Sequence, residues 1–80
     1  METAMKTIHV FIEIDRNRKE KLEFDTSEVT GSLIKERAGV PLDNDLARRQ
    51  GEKLELVTND QTITIKNGDH FVSLPPGTIS

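Results

Sequence analysis

The sequence has no cysteine, no tryptophan and no tyrosine, and it contains only three phenylalanines. Without cysteine the chain forms no disulfide, zinc–thiolate site or cysteine nucleophile. Small extracellular domains often depend on disulfides, so the absence favours a reducing compartment, and we expect the protein in the cytoplasm. No apolar run reaches the roughly 18 residues that a membrane-spanning helix requires. Residues 1–6 also lack the apolar core of a signal peptide.

Neither sign of charge dominates the chain. Charged residues make up 31% of the sequence, and the formal net charge is -3 at pH 7. Because nucleic-acid binding depends on neutralising phosphates, we expect no nucleic-acid partner. The basic residues of the first predicted hairpin are interleaved with acidic ones and have no aromatic neighbour on which a base could stack, which favours a solvated loop. These basic residues are Arg16, Arg18, Lys19 and Lys21.

The residues of a catalytic or metal centre are missing as well. His9 and His70 are the only histidines, and no spacing of further ligands accompanies them. The acidic residues are scattered, and no nucleophile stands beside a plausible base. We therefore expect neither an enzyme nor a protein that holds a metal or cofactor.

What the sequence does contain is alternation of apolar and polar residues over short segments. Such a period of two is typical of a half-buried β-strand. Eighty residues allow one small domain with a thin core. The segments that we predict as strands are residues 6–14, 20–25, 46–49, 53–57, 62–65 and 70–74, with a turn at residues 15–19 and a second one at Asn67-Gly68.

One helix interrupts the strands. Thr30 is a good N-cap, and Gly39 followed by Pro41 is typical of a helix end, which predicts a helix over residues 30–38. A helix this short is unstable alone, so it must pack on the sheet, and we expect Leu33 and Ile34 to make that contact.

The order of elements predicts an α+β domain with a mixed four- to five-stranded sheet and one helix packed across it. A hairpin followed by a crossing helix favours the β-grasp arrangement, in which the last strand lies beside the first at the centre of the sheet; another α+β meander is the alternative. We expect a flexible leader over residues 1–5, the domain over residues 6–75 and an extended tail over residues 76–80.

The segment NGDHFVSLPPG, residues 67–77, resembles the C-terminal part of the sulfur carriers of thiamin and molybdopterin synthesis. Together with Thr30-Gly31 and the segment AGV at residues 38–40, it is more similar to bacterial multiubiquitin-type ubiquitin-like domains. The resemblance covers residues 7–77. It implies a ubiquitin-like β-grasp fold and three partners: an activating-enzyme-like adenylyltransferase, a conjugating enzyme and a JAMM-type peptidase.

The resemblance also implies a role for Gly77. Modifiers of this kind are activated at a C-terminal glycine, because a residue without a side chain passes through a narrow enzyme channel. Here no Gly-Gly is present, and Gly77 is followed by Thr78-Ile79-Ser80. The first hypothesis is therefore a protein modifier conjugated through Gly77 after the last three residues are removed. A non-covalent interaction module is the alternative, and a sulfur carrier is the third choice.

The sequence also predicts a partner-binding surface. Phe11 lies on the opposite side of its strand from Val10, and Val72 and Leu74 lie opposite Phe71. Phe11, Val72 and Leu74 would form an apolar patch on the open side of the sheet, unless loops or the leader cover it. Pro75 and Pro76 either hold the tail extended for a partner or end the last strand. We expect the protein to act as a monomer.

Overall fold

The alternating N-terminal segment forms the first strand of a hairpin. The computed structural model describes residues 7–15 and 17–76. In it, β1 (Ile8–Asp15) pairs antiparallel with β2 (Arg18–Phe24). Val10 and Ile12 are fully buried, and Leu22 and Phe24 are buried on the same side of the hairpin. The apolar members of the alternation therefore line the core, as predicted.

The hairpin is tighter than the sequence indicated. Residues 15–19 were expected to form the turn, but β1 continues to Asp15 and β2 already begins at Arg18. The Asp15 carboxylate accepts a hydrogen bond from the Asn17 backbone N–H at 2.8 Å, so the side chain satisfies the turn locally. The register shifts between Glu13 and Asp15, which marks a bulge at the end of the ladder.

The predicted helix is present with the expected caps. A short strand, β3 (Glu28–Thr30), leads directly into α1 (Gly31–Ala38). The Thr30 hydroxyl accepts a hydrogen bond from the Leu33 N–H at 3.2 Å. Gly39 has a φ of 74°, the left-handed conformation that favours glycine at a helix end.

Four strands follow the helix in the described part of the chain, up to residue 76. They are β4 (Asp45–Gln50), β5 (Lys53–Leu56), β6 (Thr62–Thr64) and β7 (His70–Leu74). Gly51, with a φ of 63°, begins the two-residue turn between β4 and β5, and Gly68, with a φ of 89°, lies in the predicted turn before β7. β6 does not join the main sheet: it pairs with β3 in a separate two-stranded ribbon, which the sequence did not predict.

The main sheet has five strands in the order β2-β1-β7-β4-β5. β7 lies between β1 and β4, parallel to the first and antiparallel to the second. Ile12 is the partner of Phe71 across the parallel pair. The prediction that the first and last strands pair in parallel at the sheet centre is therefore confirmed.

The core lies between one face of this sheet and the helix. Ile34 of α1 is fully buried, and Leu33 is partly buried against the same cluster, which confirms the predicted packing of the helix. The structure is thus a small α+β domain with a mixed five-stranded sheet and one helix on a single face. The buried cluster comprises Val10, Ile12, Leu22, Phe24, Val29, Ile34, Leu46, Val57, Ile65 and Phe71.

Candidate partner-recognition surface

The face of the main sheet opposite the helix carries the predicted partner-binding residues of the strands; we call it the open face. Cross-strand partners in a sheet point to the same side, so the register defines its rows. The row through the middle contains Lys21, Phe11, His70, Arg49 and Leu54, and the next row contains Lys19, Glu13, Val72, Ala47 and Leu56.

Phe11 lies at the centre of this face. It is half-buried, whereas its sequence neighbours Val10 and Ile12 are fully buried in the core. Its ring stacks on the imidazole of His70, with ring centroids 5.3 Å apart and an angle of 24° between the planes. The open face therefore presents a stacked aromatic pair on the two parallel strands.

An ion pair crosses the face beside this aromatic pair. The Arg49 guanidinium lies 3.9 Å from a Glu13 carboxylate oxygen, and the two side chains are 52% and 35% exposed. Because β7 lies between their strands, the pair spans β7. Its exposure makes it a weak stabilising contact in water. Its main effect is to place one charge of each sign over the middle of the face.

Two clefts meet at Val72, which is only 9% exposed. Phe11, Glu13, Arg49 and Val72 are among the residues that line the first cleft. Glu13, Val72, Leu74 and Pro75 are among those that line the second. Phe11 and Leu74 thus lie in adjacent clefts on either side of Val72, and Glu13 borders both.

The surface predicted from the sequence did not include two apolar residues of the open face. Leu54 and Leu56 on β5 are 51% and 44% exposed. Both belong to the rows that contain Phe11 and Val72. The alternation in residues 53–56 was the available signal, because it places the two leucines on one side of a strand. Which side that is depends on the pairing of β5 with β4.

The chain leaves the sheet from its centre. Leu74, the last residue of β7, is half-buried, and Pro75 and Pro76 are exposed. Gly77 and residues 78–80 lie outside the described residues, as do the expected leader over residues 1–5 and Arg16. The exit point is next to the end of β1, since β7 runs parallel to that strand.

The two histidines have different surroundings. The backbone of His9 is engaged by the turn before β7: its N–H donates to the Asn67 side-chain oxygen, and its carbonyl accepts from the Gly68 N–H, both at 2.8 Å. His70 stacks on Phe11. Residues 7–15 and 17–76 contain no group of three or more residues that could hold a metal ion.

Among the described basic residues of the first hairpin, Arg18 and Lys19 each lie beside an acidic residue. Arg18 lies 3.7 Å from Glu20 and is exposed, and Lys19 is the cross-strand partner of Glu13. Acidic neighbours therefore accompany the described basic residues of this hairpin. The described helix is not long and apolar enough to cross a membrane.

Comparisons with protein-family models, with curated proteins and with solved structures found no match. The structure itself provides an open sheet face with apolar and charged residues interspersed, and an exposed chain segment at the end of the central strand.

Proposed function

We propose that this chain is a ubiquitin-like β-grasp domain that acts as a bacterial protein modifier and works by being recognised by other proteins. The observation that carries the proposal is the strand order β2-β1-β7-β4-β5, with β1 and β7 parallel at the centre and a helix on one face only. That order is the arrangement expected of a β-grasp domain. It leaves one face of the sheet free of any described element.

The open face is the surface on which we propose that a partner docks. Phe11, Leu54 and Leu56 supply partly or largely exposed apolar area, and Val72 lies at the junction of the two clefts. Lys19 and Arg49 add positive charge at the border of the first cleft. Apolar contact areas bordered by charge are typical of protein-binding surfaces.

The exposed prolines support recognition of the tail in the same encounter. Pro75 and Pro76 follow the central strand directly, and proline restricts the backbone and removes N–H donors. The two prolines therefore restrict the conformation of the segment that follows β7 where it exits the sheet. We propose that it presents Gly77 to an activating-enzyme-like adenylyltransferase, followed by a conjugating enzyme.

Activation at Gly77 requires a free carboxylate on that residue. The carboxylate attacks the α-phosphate of ATP, pyrophosphate leaves, and an enzyme thiolate then displaces AMP to give a thioester. Thr78 follows Gly77 in the sequence, so a peptidase of the JAMM type must first cleave after Gly77. A chain that keeps Thr78 is not activated and acts as a non-covalent interaction module, which is the second candidate function.

The test is an activation assay with the adenylyltransferase of the same organism. The 80-residue chain, the chain ending at Gly77, and the chain ending at that position with Gly77→Val are each incubated with the enzyme and ATP. Pyrophosphate exchange and a thioester are expected only for the form ending at Gly77. The valine variant is the matched control, because it keeps the free carboxylate but adds a side chain. If no form is activated, the modifier proposal is wrong and the non-covalent module remains.

A further inference from the structure

The outer edge of β5 is the feature that points to a second binding surface. β5 is the last strand in the sheet order, and among residues 7–15 and 17–76 nothing pairs with its outer side. Unpaired strand edges accept another strand readily, so proteins usually protect them with charged side chains. β2, at the opposite edge, is protected in this way: its exposed residues Arg18, Lys19, Glu20, Lys21 and Glu23 are all charged. On β5 all four residues are exposed, and only two of them, Lys53 and Glu55, are charged; the other two are Leu54 and Leu56.

The backbone groups available at this edge follow from the pairing of β5 with β4. The Val57 N–H donates to the Leu46 carbonyl at 2.8 Å. Bonded and non-bonded pairs alternate along an antiparallel ladder, so Glu55 and Lys53 also direct their backbone groups toward β4. Leu54 and Leu56 therefore direct their N–H and carbonyl groups outward.

The side chains of β5 select what can pair with this edge. Lys53 and Glu55 lie two residues apart, on the side of the sheet that faces the helix, and carry opposite charges. Neither takes part in an ion pair within the described part of the chain. Leu54 lies between them and points to the open face, where it is 51% exposed.

We propose that the partner at this edge is a second copy of the chain, paired antiparallel with Leu54 on the two-fold axis. In this register the two Leu54 residues exchange backbone hydrogen bonds through their outward groups. Lys53 of each copy then lies opposite Glu55 of the other in a non-bonded pair, where side chains are closest. The charge complementarity is satisfied twice, because the two-fold axis repeats each contact.

The neighbouring two-fold register is unfavourable. Centring the axis on Glu55 places the two Glu55 carboxylates directly opposite each other, and like charges in that position destabilise a strand pair. Centring it on Leu54 also keeps both open faces on the same side of the joined sheet. The proposal does not depend on activation at Gly77, and it departs from the expectation of a monomer.

The test is sedimentation equilibrium of the whole chain and of charge-reversal variants. We expect the wild type to dimerise, and Lys53→Glu and Glu55→Lys each to raise the dimer dissociation constant about tenfold, since each variant places like charges opposite each other twice. An equimolar mixture of the two variants should dimerise again, because each then meets the complementary charge of the other. Lys21→Glu on the opposite edge is the matched control and should leave the dissociation constant unchanged.

Three results would overturn the proposal. The first is a wild type that stays monomeric up to about 1 mM, the weak end of measurable association. The second is an equal effect of Lys53→Glu and Lys21→Glu, which would indicate a response to net charge alone. The third is a mixture of the two β5 variants that remains monomeric. All three substituted residues are exposed, and circular dichroism checks that each variant is folded.

Discussion

The rings of Phe11 and His70 stack across the two parallel central strands, with their centroids 5.3 Å apart. This contact is the centre of the open face. It couples the first strand of the domain to the last one on the side that the helix does not cover. The two residues are 59 positions apart in sequence (70 − 11), so their contact exists only in the folded sheet.

Phe11 and Val10 are adjacent residues whose substitution should differ in cost. Val10→Ser places a hydroxyl in a fully buried site and removes core contacts, so it should lower the free energy of unfolding by about 3 kcal/mol. Phe11→Ser removes a half-buried ring and should cost about 1 kcal/mol. Urea denaturation measures both values. Equal losses would mean that Phe11 belongs to the core and that no recognition surface is centred on it.

Arg48 and Arg49 are a second adjacent pair on opposite faces of the sheet. The Arg48 side chain, 15% exposed, donates to the Thr64 carbonyl, lies 3.7 Å from Asp69, and sits over the Phe71 ring. Arg48→Ala should therefore cost about 2 kcal/mol in denaturant unfolding. Arg49→Ala removes only an exposed ion pair and should change stability by less than about 0.5 kcal/mol. The reverse order would contradict the assignment of the two faces.

Lys35 connects the helix to two loops. It is 3% exposed, and its ammonium donates to the carbonyls of Leu42 and Asn44 and, at 2.7 Å, to the Asn59 side-chain oxygen. Lys35→Met would leave the Asn44 carbonyl and the Asn59 side-chain oxygen without their donor, whereas the Leu42 carbonyl still accepts from the Asn59 side-chain amide. The change should cost about 3 kcal/mol, with faster amide exchange in both loops. Glu36→Met, at the exposed neighbouring position, is the control and should cost less than about 0.5 kcal/mol. Similar losses for both would show that the three hydrogen bonds are not needed.

Gly31, the first residue of the helix, and Gly39, the residue that caps its end, are glycines for different physical reasons. A Cβ on Gly31 would lie 2.2 Å from the Thr58 carbonyl oxygen, so Gly31→Ala must displace backbone and should cost about 3 kcal/mol. Gly39 has open space around it, and Gly39→Ala should cost only about 1 kcal/mol for its left-handed conformation. Thermal unfolding of the two variants measures the difference. A larger loss for Gly39→Ala would contradict the close approach at Thr58.

The main elements of the fold were predictable where a segment was long enough to show a pattern of apolar residues or to carry recognisable caps and turns. β1 alternates over most of its 8 residues, and the helix carries both of its caps. β7 is marked by apolar residues between the Asn67-Gly68 turn and the two prolines. β3 has only 3 residues, too few to show a period. β6 lies within the segment at residues 62–65 that was predicted as a strand, but its pairing with β3 in a separate ribbon depends on the tertiary structure. The predicted turn over residues 15–19 was too long. The hydrogen bond from the Asn17 N–H to the Asp15 carboxylate helps to form a shorter turn.

The candidate surface was predictable only in part, for a similar reason. The apolar alternation of Ile8, Val10 and Ile12 indicates from the sequence alone that Phe11 points to the other side of the strand. Leu54 and Leu56 could face either side until the register with β4 is known. The contact of Glu13 with Arg49 spans an intervening strand and depends on the complete strand order. Local patterns thus indicate which residues share a face, and the tertiary pairing determines which faces meet.

The central position of β7 also constrains how the chain folds during synthesis. Before β7 leaves the ribosome, the β1–β2 and β4–β5 hairpins have no strand to join them, and the inner edges of β1 and β4 are both unpaired. Contacts between residues so distant in sequence form slowly, and unpaired edges are prone to aggregation in the meantime. The nascent domain therefore completes its sheet only after Leu74 has emerged from the ribosome. The residues that follow β7 begin to emerge before the sheet to which they are attached is complete.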